Sequence, residues 1–561
     1  MPRSRIRFTL PALLIALIAF PASPAWAAVT CAYNGTTFEL EIIYGSAADN
    51  EVIVSVSAGD IEVATFGGPV ACTGDPATTA NTESISITDT FGGDNTVFLN
   101  PGLAPGMTDE SPGLSEIEVA IDTGTGSDQL FVSLAGGSNA RLGAGGINLN
   151  AGAEPDPQDD ADITLTSVEN VQVIGTLQGE VIDASGGAGT GAAYPTPLDI
   201  RASGGDDMIT GGDGDDFIEP GAGDDTVDGG GAPNEVNFGG GPMIVDLNAG
   251  TATGDGSDVL ANVANLRMPL GVHDDVVIGN AADNAVIGRD GDDVFVPGGG
   301  TDNFNGGAGS DTIWTRDAPG AVTIDLGGQA VTGARTVNLN AVENAIGGPF
   351  DDTILGDGGA NVLAGGPGDD GMDGAGGDDL ADYAGNPTRI VANMRTGKVR
   401  GASVDTLANI EGVRGSPSDD IFISKPGTSD SFDGGPGSDT LRFAGTPGAV
   451  TADLRTGEAE DGGGATDVFL RLENLVGGSK RDTLRGSARR NRLSGGGGGD
   501  VIIARGGNDT AVGGRGGDTL KGGARNDILT GGAGNDDLFG GSGNDRCRQG
   551  AGSGIVRGCE R

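Results

Sequence analysis

The sequence predicts an all-β protein, a parallel β-roll or β-solenoid with an N-terminal β cap region. Three observations carry this reading. Glycine and aspartate recur with a period of nine, an apolar residue holds one fixed place in each period, and material for a large globular core is scarce. Glycine is 108 of 561 residues, hydrophobic residues are 36% and aromatics 4%. Glycine enrichment without a period reads as disorder, whereas a short fixed period reads as a stack of repeats.

The period is clearest from Gly477 to Arg548, where eight blocks of nine follow without a gap: GGSKRDTLR, GSARRNRLS, GGGGGDVII, ARGGNDTAV, GGRGGDTLK, GGARNDILT, GGAGNDDLF and GGSGNDRCR. The template is G-G-x-G-x-D-x-U-x, with U apolar. The sixth position holds Asp482, Asn491, Asp500, Asp509, Asp518, Asp527, Asp536 and Asp545; the eighth holds Leu484, Leu493, Ile502, Ala511, Leu520, Leu529, Leu538 and Cys547. Residues 202–228 hold three more blocks (Asp207, Asp216, Asp225). Residues 270–314 hold five (Asp275, Asn284, Asp293, Asp302, Asp311), and residues 347–382 hold four (Asp352, Asn361, Asp370, Asp379). Residues 416–442 hold three, shifted by a one-residue insertion (Asp420, Asp430, Asp439). Of 23 blocks, 20 have Asp at the sixth position.

A larger module lies above the period. Between the runs stand Val245-Asp246-Leu247, Ile324-Asp325-Leu326, Ala392-Asn393-Met394 and Ala452-Asp453-Leu454. Each is followed by a pair resembling Glu-Asn: Ala264-Asn265, Glu343-Asn344, Glu411-Gly412 and Glu473-Asn474. The connectors are therefore duplicated parts, and their apolar alternation predicts irregular solenoid coils. The resulting organisation is a leader over 1–27, an all-β region with degenerate repeats over 28–200, modular runs over 201–476, the eight-block array over 477–548 and a tail over 549–561.

This repeat resembles the RTX, or hemolysin-type calcium-binding, nonapeptide family, strongly over about 202–548 and weakly before it. The resemblance implies a calcium-binding parallel β-roll. Physical chemistry gives the same reading. Six residues form a turn and three a short strand whose eighth residue points inward. Glycines at positions 1, 2 and 4 permit positive φ and leave carbonyls unshielded. Two blocks close one coil, so turns two blocks apart stack on one side. Their carbonyls and aspartates suit a hard cation that takes six to eight oxygens, calcium in preference to magnesium. The expected metal ligands are the 20 sixth-position aspartates. Asn284, Asn361 and Asn491 lose a charge. The runs offer 13 same-side pairs, so roughly a dozen ions is the upper range. Metal-free Gly-Asp turns are the bland alternative. Second acids at position 5, such as Asp206, Asp215, Asp292 and Asp369, read as solvated turn charge.

The charge agrees with a cation partner. The net charge is −48, and the first 27 residues carry three Arg and no acid, so the rest stands at −51. Self-repulsion on that scale disfavours compaction, and bound cations would relieve it. It also argues against a nucleic-acid partner. The array over 477–561 departs from this, with 14 Lys+Arg against nine Asp+Glu. Attraction to anionic envelope or matrix polymers is one reading of it, and an ordinary soluble surface is the other.

Arg3, Arg5 and Arg7, the apolar stretch Leu10–Phe20 and Ala25-Trp26-Ala27 read as a signal peptide cut after Ala27. Export to the extracellular space follows as an expectation, with cell-surface attachment left open. No later segment is apolar enough to span a membrane. Export favours disulfides, and the local pairs Cys31–Cys72 and Cys547–Cys559 avoid joining opposite ends of the chain. This route differs from the C-terminal export signal usual in the toxin-like members of the family, so toxin activity is not carried over.

No catalytic constellation is legible. His273 is the one histidine, too few for a zinc-protease H-E-x-x-H pair. There is no G-x-S-x-G elbow and no Walker loop. The chain therefore reads as a structural, adhesive or interaction protein that binds calcium. The alternative is a polysaccharide-active β-helix lyase or epimerase bearing the same repeats. Residues 28–200 are the least legible; Gly124–Asp128 and Gly179–Asp183 echo the repeat weakly.

Overall fold

The computed structural model describes residues 192–560 without a break, and between residues 30 and 190 a series of strands with short flanking stretches. The expected leader and Cys72 lie outside the described residues. Among the described residues there is no helix, and hence none long and apolar enough to cross a membrane. The chain divides into two units, the first being Met1–Ala135, Gly145–Gln172 and Ala188–Thr190.

The first unit is itself built from parallel rows. Glu39–Tyr44, Ser84–Asp89, Glu118–Asp122 and Ile163–Thr166 pair in that order, all parallel. Asn50–Ser57, Asn95–Leu99 and Gln129–Ser133 make a second parallel row. Thr30–Asn34 seals the edge of the first row antiparallel to Glu39–Tyr44. The reading of 28–200 as a cap or a worn solenoid thus meets solenoid coils much longer than two nonapeptides.

In the second unit the period becomes geometry. Strands separated by 18 residues pair in parallel: Thr483 lies opposite Val501, Val501 opposite Thr519, and Thr519 opposite Asp537. On the other face Arg492, Thr510, Ile528 and Arg546 form the matching row. Alternation then points every eighth residue into the core. Leu484, Ile502, Leu520 and Leu538 form one fully buried column, and Leu493, Ala511 and Leu529 the facing one. Each buried Leu or Ile contributes about 1.5–3 kcal/mol, a modest sum per coil that makes the turns matter. In the terminal array the strands lengthen to six residues, as in Val501–Gly506 and Thr519–Ala524, because the glycine corner joins the ladder.

The connectors are not irregular coils. Each is a three-stranded antiparallel insert in one of the two parallel sheets. In the first, Ile244–Asp246, Thr251–Thr253 and Ser257–Ala261 form a meander. Its last strand pairs parallel with Thr226–Asp228 and its first with Val276–Ile278. The other three inserts repeat this over Val322–Asn340, Val391–Ala408 and Thr451–Leu470. The duplicated tripeptides make the first bend. Val245, Ile324, Ala392 and Ala452 are buried, while the next residue turns the chain. Asp246, Asp325, Asn393 and Asp453 each accept a backbone N–H two or three residues on.

Candidate metal centre

Backbone conformation sets the turns. Position 2 is left-handed in Gly496, Gly514 and Gly523 (φ 98°, 117° and 111°), and position 4 in Gly498, Gly516 and Gly534 (φ 116°, 122° and 142°). Position 1 is not left-handed, so its glycine serves another purpose. A Cβ on Gly522 would stand 2.5 Å from Asp527 Oδ2 and 2.5 Å from the carbonyl oxygen of Gly540. Glycine at position 1 leaves room for a carboxylate oxygen and a carbonyl oxygen of the next coil to converge.

All 20 sixth-position aspartates are buried, a state that ionised side chains avoid unless partnered. Nineteen of them use Oδ1 in the same way, accepting the backbone N–H that lies one coil earlier. On one side of the terminal array Asp482 N–H donates to Asp500 at 2.8 Å, Asp500 to Asp518 at 2.8 Å, and Asp518 to Asp536 at 3.1 Å. On the other, Asn491 donates to Asp509, Asp509 to Asp527 and Asp527 to Asp545, at 2.7–2.9 Å. The same link joins Asp207 to Asp225, Asp275 to Asp293, Asp293 to Asp311, and Asp352 to Asp370. Asp216, Asp302 and Asp379 accept from Leu198, Asn284 and Asn361. After each insert an apolar residue supplies the N–H: Met243 to Asp275, Val322 to Asp352, Ile390 to Asp420 and Val450 to Asp482. Asp439 accepts from Asp420. Asp430, beside the inserted residue, is the exception; it accepts from Lys425 N–H at 2.7 Å and Thr428 Oγ1 at 2.8 Å.

The second oxygen divides the set. In Asp216, Asp352, Asp420 and Asp482 Oδ2 accepts the N–H of position 2 in its own turn, at 2.6–2.7 Å. In fifteen others Oδ2 is buried and has no hydrogen-bond partner: Asp207, Asp225, Asp275, Asp293, Asp302, Asp311, Asp370, Asp379, Asp439, Asp500, Asp509, Asp518, Asp527, Asp536 and Asp545. Position 2 is left-handed in fourteen of these fifteen turns, a glycine in ten and Ser203, Arg289, Ala375 or Arg505 in the others, and that conformation turns the N–H away; Gly298, in the Asp302 turn, is the exception. An unpartnered buried carboxylate oxygen is costly, and it drives up the proton affinity. Burial pushes Asp207, Asp293, Asp370, Asp439, Asp500 and Asp509 up to about 7, with neighbouring acids adding to it.

These residues fit calcium. Unpartnered carboxylate oxygens face carbonyl oxygens of the next coil, and every donor is a hard oxygen. Among the described residues no group of three or more acidic, His or Cys side chains suited to a metal ion occurs, so backbone carbonyls would supply much of any shell. Bound calcium would supply the positive charge that the Oδ2 row lacks; the chain's own part is to hold that row in register.

The three asparagines are more than lost charges. Asn284, Asn361 and Asn491 each lie one coil after an insert, where the preceding coil presents a carbonyl in place of an N–H. Their Nδ2 donates to the carbonyls of Ala264, Glu343 and Glu473 at 3.0, 2.8 and 2.9 Å. The paired Asn265, Asn344 and Asn474 return the bond, accepting the N–H of Ala285, Val362 and Arg492.

Sequence reasoning missed two sets of residues. Glu343, Glu411 and Glu473 take the sixth-position role, their Oε2 accepting the N–H of Asp311, Asp379 and Asp439 at 2.9–3.0 Å. Asp258, Asp405 and Asp467 do so on the insert strands, accepting from Asp225, Asp370 and Asp430. Their signal is a Gly/Ser-x-Asp-x-Leu echo in the first two, hidden by the broken period. The echo at Asp128 does mark the row: it accepts Asn95 N–H at 2.7 Å. In the other echo the acceptor row passes through Glu180, whose N–H donates to Asp207 Oδ1 at 2.7 Å.

Position-5 acids are exposed but not merely solvated. Asp206, Asp292 and Asp369 accept the N–H of Asp224, Ser310 and Val404, in the reverse direction to the inner row. His273 sits in a turn with its N–H on the carbonyl of Asp290. Cys547 and Cys559 are joined as a disulfide with Cα atoms 5.7 Å apart.

No curated protein matches the chain. The family described as "RTX calcium-binding nonapeptide repeat (4 copies)" matches residues 199–233, 271–304, 296–317, 346–381, 476–511 and 512–547. The register, the buried aspartates and this match agree: residues 199–547 carry several copies of the RTX calcium-binding nonapeptide repeat, separated by inserts.

Proposed function

We propose that the protein is exported by its N-terminal leader and folds on calcium outside the cell. There it serves as a structural or adhesive solenoid and not as an enzyme. The observation that carries this is the row of fifteen buried aspartate oxygens without a partner. At a net charge of −48, such rows oppose folding until cations neutralise them. Where cellular calcium is low the stack would stay loose, and extracellular calcium would close it. The cation-rich terminal array supports contact with anionic envelope or matrix polymers.

The test is a calcium titration of the purified chain, followed by far-UV circular dichroism and calorimetry with magnesium as control. A calcium-specific gain of β structure with many ions bound is expected. A protein folded equally well in chelator would overturn the reading.

A further inference from the structure

The inserts interrupt the matched repeats, yet three of the four carry the carboxylate row through. Asp258, Asp405 and Asp467 are buried on the last strand of the first, third and fourth inserts. Each lies 33–37 residues after its ladder partner, so no nonapeptide links them. Parallel pairing nevertheless places Thr226 opposite Val259, Gly371 opposite Thr406, and Ser431 opposite Val468. The residues before these, Asp225 and Asp258, Asp370 and Asp405, Asp430 and Asp467, are therefore neighbours.

Each pair also holds a buried oxygen without a partner. Asp225 Oδ2, Asp370 Oδ2 and Asp467 Oδ2 make no hydrogen bond. Near the latter two, the buried hydroxyls of Tyr383 and Ser424 face the carboxylates of Asp405 and Asp467. Gly256 comes as close to the carbonyl of Gly223 as Gly223 does to that of Gly205, so the first insert reproduces the carbonyl approach of a repeat turn. The second insert differs: there Val337 stands opposite Asp302. It has no carboxylate to offer.

We infer that Asp258, Asp405 and Asp467 are calcium ligands, each completing with its ladder partner a site at the junction of an insert and the preceding run, and that the second insert has no such site. This rests on the calcium reading above. The sites would bind the first, third and fourth inserts to their runs with the same ion that closes the turns, making those inserts calcium-dependent parts of the stack.

The experiment counts calcium per chain, by elemental analysis after gel filtration of the calcium-loaded full chain. The variants are Asp258→Asn, Asp405→Asn, Asp467→Asn and, as a repeat control, Asp518→Asn, with circular dichroism on each. Asparagine keeps the Oδ1 acceptor and removes the charge. Each insert variant is expected to lose one ion, as the control does, while Val337→Ala keeps the full count. Any insert variant that folds and keeps the full count, beside a control that loses an ion, overturns the inference. A wild-type chain without calcium would instead defeat the functional reading itself.

Discussion

The asparagine joints give the sharpest test of the geometry. Asn491→Ala removes three bonds from a buried position: Oδ1 accepts Ser487 N–H at 2.7 Å and Ser487 Oγ at 3.2 Å, and Nδ2 donates to the Glu473 carbonyl at 2.9 Å. Truncation strands two backbone groups. A buried unsatisfied group costs about 1–3 kcal/mol, so the joint should lose about 2–4 kcal/mol once partial access to water is allowed. At about 1.4 kcal/mol per tenfold, that is roughly a 30- to 700-fold rise in local opening. Hydrogen exchange in saturating calcium reads it directly, at the amides of Arg492 and its strand neighbours. Arg490→Ala, one residue earlier and exposed, is the control and should leave exchange unchanged. Because each coil contacts only its neighbours, amides near Asp545 should also stay protected. Exchange at Arg492 equal to wild type would refute the claim that the amide, and not a cation, closes this joint.

Acidity should act oppositely on the free and loaded protein. Burial holds Asp293, Asp370 and Asp500 up to about 7 in the fold, against about 3.9 unfolded. A raised folded value stabilises below the unfolded one, and that contribution is lost as pH climbs through about 7. Calcium-free protein should therefore melt higher at pH 5 than at pH 8, while calcium affinity falls below pH 7; a calcium-free melting temperature that rises with pH would contradict this. Gly516→Ala places a side chain at φ 122° and against the Gly498 carbonyl, costing about 1–3 kcal/mol in strain alone. Gly517→Ala, whose Cβ would find only the Asn535 carbonyl at 3.1 Å, should cost under about 1 kcal/mol; equal melting curves would refute the assignment. Reducing Cys547–Cys559, a closure of 12 residues, should weaken the last coil by about 3 kcal/mol. Exchange should then quicken at Val556–Arg557 and not at Val501–Gly506.

Much of this was legible because the nonapeptide states its own geometry. Asp at position 6 and Leu at position 8 are two residues apart and so share the inward side, the first buried where the turn ends and the second in the core. The purpose of glycine at position 1 was not legible, since crowding between its own turn's carboxylate and a carbonyl one coil away leaves no mark on local conformation. Asp405 and Asp467 escaped notice because an insert changes the spacing while strand pairing restores the register. The asparagines were visible, but their meaning depends on a carbonyl that only the fold reveals.

The four inserts carry a further consequence. Each puts three strands on one face where an ordinary coil puts one, a surplus of two rungs at ~4.8 Å each. The first and fourth lie in one sheet, the second and third in the other. The faces thus fall out of step by two rungs at the first insert and come level at the second. They part again at the third and are level once more at Gly477, where the unbroken array begins. The inserts work as two pairs of compensating shims. Removing any one would leave the terminal array to start on an uneven base, so they should be gained or lost in twos.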